Sequence, residues 1–290
     1  MLSVSRNQAL INEKKVELAF LEYAVDKGYS LVDFDLIEHL SWKDLGPDDL
    51  QALGSAYHWT AADEVYVLRS DWTQTLVRYR RKYQMAVDRI AYSGPVYAAR
   101  APQQQFGLES FSAEVPTQQA LLGDALQFCR DHGVKQIETA VVSHNKLLRH
   151  LASEDDLANP QIRHLIDERN RDGIADRLGR EATLTRIMQE APRDQLAWLD
   201  AELPELGHYI AELESWMTIL SELGVRDVFA DVLALPTQSY YRGVSLRCHA
   251  AKQDALDPLL SGGQYTMNGK AFGVAIAADH LAAAREGGLA

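Results

Sequence analysis

RIAYSGPVYAAR (89–100) and QFGLESFSAEV (105–115) decide the fold class. In both, apolar residues alternate with small or polar ones, the period-two signature of a half-buried strand. The Pro/Gln-rich RAPQQ (100–104) between them reads as the turn of a hairpin-like unit. Side chains alternate in direction along a strand, so Gln105, Gly107 and Glu109 share one face.

Working outward, VYVLRS (65–70) reads as a strand, and Ser70 or Asp71 can cap the helix WTQTLVRYRRKYQMAV (72–87). Before it, Leu10, Ile11, Val16, Leu18, Ala19 and Leu21 recur at helical spacing, and Gly28 ends that run. GYSLVDFDLIEHLSW (28–42) follows as an extended run into a polar bend. From Pro116 the pattern is a helix, then Gly133, then the strand IETAVVS (137–143). Residues from about 145 to 224 are rich in Leu, Ala, Asp, Glu and Arg, with prolines at 160, 192 and 204, and read as helices of an insertion at about 150–225. VSLRCH (244–249) is a strand, GGQY (262–265) a turn, FGVAI (272–276) a strand and AADHLAAARE (277–286) a closing helix.

The strands are short and irregularly spaced, without strand–helix alternation or GxGxxG. That argues against a doubly wound parallel sheet and for an α+β fold, a mostly antiparallel sheet flanked by helices.

Composition narrows function. The 290 residues carry 29 basic and 41 acidic side chains, a net charge of −12, which disfavours a general nucleic-acid binder. Two distant cysteines, Cys129 and Cys248, give neither a disulfide framework nor a cysteine zinc site and suit a cytoplasmic protein. No run of apolar residues is long enough to span a membrane. No HExxH occurs, and His144 and His150 stand six apart, off one helical face, so no metal is expected. SGGQYTMNGK (261–270) misses the phosphate-loop spacing and has Ala271 where Ser or Thr belongs; no GxSxG elbow is present. Arg78, Arg80, Arg81 and Lys82 could hold phosphate or form the solvated face of a helix. Asp71, Gln105, Glu109 and Tyr241 could converge on a pocket for an amino acid with a polar ring, having acceptors for an ammonium and a ring N–H and a phenol hydroxyl; the alternative is a set of unrelated strand-end polar residues.

LRSDWT (68–73), QFGLE (105–109), SYYRG (239–243), SGGQY (261–265) and FGVAIAADHL (272–281), in this order, resemble histidyl-tRNA synthetase and its paralogue, the regulatory subunit of ATP phosphoribosyltransferase. LRPEGT of the synthetases appears as LRSDWT, with Asp71 for the glutamate and Thr73 kept; RGLDYYTG appears as PTQSYYRG, with Tyr240 and Tyr241 matching. The resemblance implies a class II aminoacyl-tRNA synthetase-like fold over 1–290 as a single domain, and a histidine pocket of Asp71, Thr73, Gln105, Glu109, Tyr240 and Tyr241.

The departures carry the functional argument. The synthetase arginines that grip or stack on ATP, or assist adenylation, fall on Ala98, His280 and Pro236, and the motif-one proline falls on Asp35. Charge developing on a transferring adenylyl group needs such cations, at about 3 kcal/mol for one key donor. The chain ends about ten residues after motif three, which the resemblance reads as no anticodon-binding domain. It therefore implies a non-catalytic regulatory subunit without cofactors. Such a subunit activates the short-form catalytic subunit of ATP phosphoribosyltransferase and conveys feedback inhibition by histidine, in a hetero-octamer built on synthetase-like dimers. The rival function is a synthetase-like enzyme that activates an amino acid without charging tRNA, with Arg100 or Arg242 replacing the lost cations.

Overall fold

The computed structural model describes residues 4–286 except 43–44, 46–49, 51–52, 55, 63, 98–101, 237, 239, 252–256 and 267–269, with side chains from 7 to 282. Ala98 and Arg100 lie outside the described residues. The chain forms two compact units: 1–136, 249–262 and 266–290 make the first, and 137–248 with 263–265 the second.

In the first unit, helix α1 (Val4–Asp26) leads to strand β1 (Ser30–Leu31). A small antiparallel sheet follows, ordered β2 (Ile37–Ser41), β4 (Glu64–Leu68), β3 (His58–Ala61). Its inner face buries Val65 and Val67 against Leu40, Leu45 and Leu53. This sheet is absent from the sequence reading because the polar stretch around 43–57 hides its pairing. Helix α2 (Trp72–Tyr83) comes next, capped by Asp71, whose carboxylate accepts from the Gln74 amide at 2.8 Å. The helix stops before the expected 87 because Gln84 takes a left-handed conformation, φ 49°.

The hairpin arms are β5 (Arg89–Tyr97) and β6 (Pro102–Ser110), paired antiparallel from Arg89–Ser110 to Tyr97–Pro102. Pro102, Gln103 and Gln104 therefore belong to the strand, not to a turn as expected. Helix α3 (Val115–Asp131) packs behind them. Strand β11 (Lys270–Ala277) pairs antiparallel with the free side of β6, and β1 lies parallel to β5. The order in this unit is β1-β5-β6-β11-β10, where β10 is Leu260–Thr266. GGQY thus lies within a strand, correcting the expected turn. A Cβ at Gly262 would stand 2.4 Å from the Gly273 carbonyl oxygen, so this glycine serves close strand approach.

The unit's core centres on Phe20, stacked on Phe106 and edge-on to Phe128, both at 5.1 Å between centroids. Such a pair contributes about 0.5–1.5 kcal/mol beyond its area. Helix α1 turns Phe20 and Ala24 inward, one turn apart, while Leu10 and Leu18 are each 56% exposed. The expected apolar face is thus mostly outward, because apolar residues surround this helix and periodicity alone selects no side.

In the second unit, β7 (Ile137–His144) pairs parallel with β8 (Asp227–Ala230), and the order is β9-β7-β8, with β9 at Tyr241–Ala250. Residues 145–222 between them form helices: α4 (Asn145–Leu151), α5 (Glu154–Ala158), α6 (Pro160–Asp167), α7 (Arg171–Leu178), α8 (Thr183–Ile187), α9 (Gln195–Glu202) and α10 (Gly207–Glu222). Caps explain the short lengths: Ser153 and Asp156 form a capping box, and Asn159 and Asn170 cap α6 and α7. Helix α11 (Ala278–Glu286) closes the chain. The division between units falls inside β9 and β10.

Candidate amino-acid site

Three strands of the first unit present small residues around Glu109. Register places Gln105 opposite Gly94 and Ala277, Gly107 opposite Tyr92 and Ala275, and Glu109 opposite Ile90 and Gly273. Glu109 is fully buried. Its Oε1 accepts from the Thr73 hydroxyl at 2.5 Å and from the Tyr92 hydroxyl at 3.4 Å. A Cβ at Gly273 would lie 1.9 Å from Glu109 Oε2, so only glycine leaves room for the carboxylate. A buried carboxylate without donors would cost several kcal/mol; here hydroxyls from a helix and a neighbouring strand meet it.

Two aromatic rings cover this floor. The Tyr92 ring lies over Gly107, where a Cβ would sit 2.0 Å from it, and the Trp72 indole lies over Gly94, at 2.8 Å from such a Cβ. The rings stack at 4.5 Å and 14°, and Trp72 Nε1 donates to the Gly94 carbonyl at 3.2 Å. Arg69 packs its guanidinium 3.5 Å from the indole centroid and donates to the Pro95 and Phe34 carbonyls. Burial lowers the Arg69 pKa from its ordinary value.

Among the expected residues of this unit, Thr73 and Glu109 meet directly. Asp71 spends its carboxylate on the α2 cap, and Gln105 sits half-buried on the Glu109 face of β6. Tyr92, Gly273 and Trp72 were missed. Strand alternation in RIAYSG marks Tyr92, but nothing in the sequence says which residue it faces.

The second unit holds Tyr240 and Tyr241, both buried and edge-on at 5.2 Å, with Tyr240 also edge-on to Tyr265. The Asn145 amide donates to the Tyr241 carbonyl, and Gln264 Oε1 accepts from the Val244 amide at 3.0 Å. Gln264 is thus part of the strand pairing, with Gly243 beneath it, where a Cβ would stand 2.2 Å from Oε1.

The synthetase cation positions that are described carry no guanidinium. Pro236 is half-buried, and His280 sets Nδ1 at 3.1 Å from the Pro258 carbonyl. Of the basic cluster, Arg78 joins Glu38, while Arg80 is held by Val87 and Asp88 above the Phe111 ring. Among the described residues, no helix is long and apolar enough to cross a membrane.

A family model described as histidyl-tRNA synthetase matches residues 7–284. A Staphylococcus aureus (strain MRSA252) protein named ATP phosphoribosyltransferase regulatory subunit is 32% identical over 273 residues, 94% of this chain and 99% of that one. The chain belongs to the histidyl-tRNA synthetase family, among the ATP phosphoribosyltransferase regulatory subunits. Solved structures agree on the fold. An ATP phosphoribosyl transferase complex from Thermotoga maritima has a chain that matches with a TM-score of 0.69 at 17% identity, covering 92% of this chain and 97% of that one. A histidyl-tRNA synthetase from Nostoc sp. PCC 7120 matches at 0.61 and 16% identity, covering 93% of this chain and 72% of its own. The fold is the α+β fold of the class II synthetases, with a mixed sheet and flanking helices.

Proposed function

We propose that this chain is a non-catalytic regulatory subunit that activates the short-form catalytic subunit of ATP phosphoribosyltransferase and conveys feedback inhibition by histidine. The observation that carries the reading is the end-to-end relationship with a regulatory subunit of that name. The cation-free positions Pro236 and His280 support it, since adenylation would need charge there. The same reading places the chain in the cytoplasm, in a hetero-octamer built on dimers.

Feedback is a linkage. Histidine shifts the complex toward its inactive arrangement only by its affinity ratio for the two arrangements. In this proposal Glu109 accepts from the imidazole N–H, with Thr73 holding the carboxylate in place. Asp71 and Gln105 take the α-ammonium. Trp72 and Tyr92 cover the floor, so the ligand enters by displacing the indole.

The test is the rate of the short catalytic subunit with and without this protein across a histidine titration. A raised rate that histidine suppresses only in the protein's presence is expected. No effect on either quantity overturns the proposal.

A further inference from the structure

The synthetase pattern LRPEGT has glycine at the place of Trp72, so this chain sets an indole where the pattern sets no side chain. Trp72 is the first residue of α2, between Asp71 and Thr73, and is 1% exposed. Its surroundings are not the apolar packing of an ordinary core tryptophan. The Tyr92 ring stacks on the indole, the Arg69 guanidinium lies against it, and Nε1 donates to the Gly94 carbonyl at 3.2 Å. The walls of this slot are held by bonds of their own. Arg69 donates to the Pro95 and Phe34 carbonyls at 2.9–3.2 Å, and the Tyr92 hydroxyl donates to Glu109. The floor is bare backbone. A Cβ at Gly94 would stand 2.8 Å from the indole and 2.9 Å from the guanidinium, so glycine there makes room for both.

Such a slot has a defined chemistry. A guanidinium and a phenol ring both stack on planar rings. The Gly94 carbonyl takes one N–H from the ring's edge, and in a buried place a ring without that N–H leaves the acceptor unpaired. The ligand class is a planar heteroaromatic ring with an N–H donor, to which indole and imidazole both belong. The slot also adjoins Glu109, because Tyr92 touches the indole with its ring and the carboxylate with its hydroxyl.

We propose that Trp72 is an internal occupant of this slot, a ring carried on the chain's own helix that competes with a free heteroaromatic ligand. That histidine is the ligand it competes with rests on the regulatory reading; the slot itself does not. The competition has a size. If the indole leaves the slot for only a fraction of the time, histidine binds with its intrinsic affinity multiplied by that fraction. The side chain at position 72 thereby sets the histidine concentration to which the protein responds.

The test compares the full wild-type chain with Trp72→Gly by isothermal titration calorimetry, using indole and histidine as separate probes. Indole should bind the variant saturably and the wild type not at all. Benzofuran, similar in shape but without an N–H, should bind the variant about threefold or more weakly than indole does. Histidine should bind the variant at least about tenfold more tightly than the wild type, as expected for a slot vacant about a tenth of the time or less. Removing the indole also removes packing, so circular dichroism of the variant is followed with and without indole, which should restore any lost fold by mass action. No indole binding at about 1 mM, a variant still unfolded at that concentration, or equal binding of benzofuran would each overturn the slot. Histidine bound equally by both proteins would overturn the competition. Histidine bound by neither, with indole bound by the variant, would uphold the slot and sink the histidine pocket of the regulatory reading.

Discussion

The Thr73 hydroxyl donates to Glu109 Oε1 at 2.5 Å, joining the first turn of α2 to the middle strand of the β5-β6-β11 group. Both residues are buried, so the bond forms away from competing water. Thr73→Val keeps the shape and removes the donor. It should cost about 1–3 kcal/mol, the usual range for under-satisfying a buried polar group, read by urea denaturation.

Gly273→Ala should destabilise by about 1–3 kcal/mol, because its Cβ would meet Glu109 Oε2 at 1.9 Å. The loss should shrink when Glu109→Ala is present in the same chain. A double-mutant cycle checks this, and additive losses would mean that the clash is not with this carboxylate.

If histidine enters beside Glu109, the indole that stacks on Tyr92 must respond. Histidine titration should change the intrinsic fluorescence of the wild-type chain, and the change should disappear in Trp72→Phe. A signal unaffected by that substitution would place the ligand elsewhere.

Glu109→Gln removes the charge and keeps the shape. In the reconstituted complex it should leave activation by this protein in place and raise the histidine concentration for half-inhibition about tenfold or more, since a hydrogen bond to a charged group contributes about 1.5–3 kcal/mol. Unchanged inhibition would reduce Glu109 to a packing residue.

Alkaline stability follows from Tyr29. Burial raises its phenol well above the usual range, with Asp124 adding to the rise and Arg89 opposing it. An unfolded chain ionises this phenol near pH 10 while the folded chain keeps the proton. The unfolded state then binds fewer protons, so stability falls as pH rises above about 10. Denaturation midpoints between pH 8 and 11 should fall less steeply in Tyr29→Phe.

The hairpin arms and a cap at Ser70 or Asp71 were legible from spacing, because period-two alternation and capping are local properties; the bond between Thr73 and Glu109 was not. What closes around Glu109 was not. Tyr92 and Gly273 come from strands on either side of β6, and only register shows that they meet there. The glycines of GGQY misled in the same way: they read as a turn, but Gly262 serves a close backbone approach to Gly273, a contact between strands rather than along one. For α1, apolar residues on every side left the buried stripe to be chosen by Phe106 and Phe128.

Strand β6 is hydrogen-bonded to β5 on one side and to β11 on the other, and β11 begins 160 residues after β6 ends. During synthesis, the sheet of the first unit cannot be finished until the helices of residues 145–222 have already emerged. At about 5–20 residues per second, β6 waits on the order of ten seconds with a bare edge. Loop closure over that distance is also slow. A nascent chain halted before Lys270 should therefore be a substrate for chaperones and prone to edge-to-edge aggregation, whereas one halted after α11 has emerged should not.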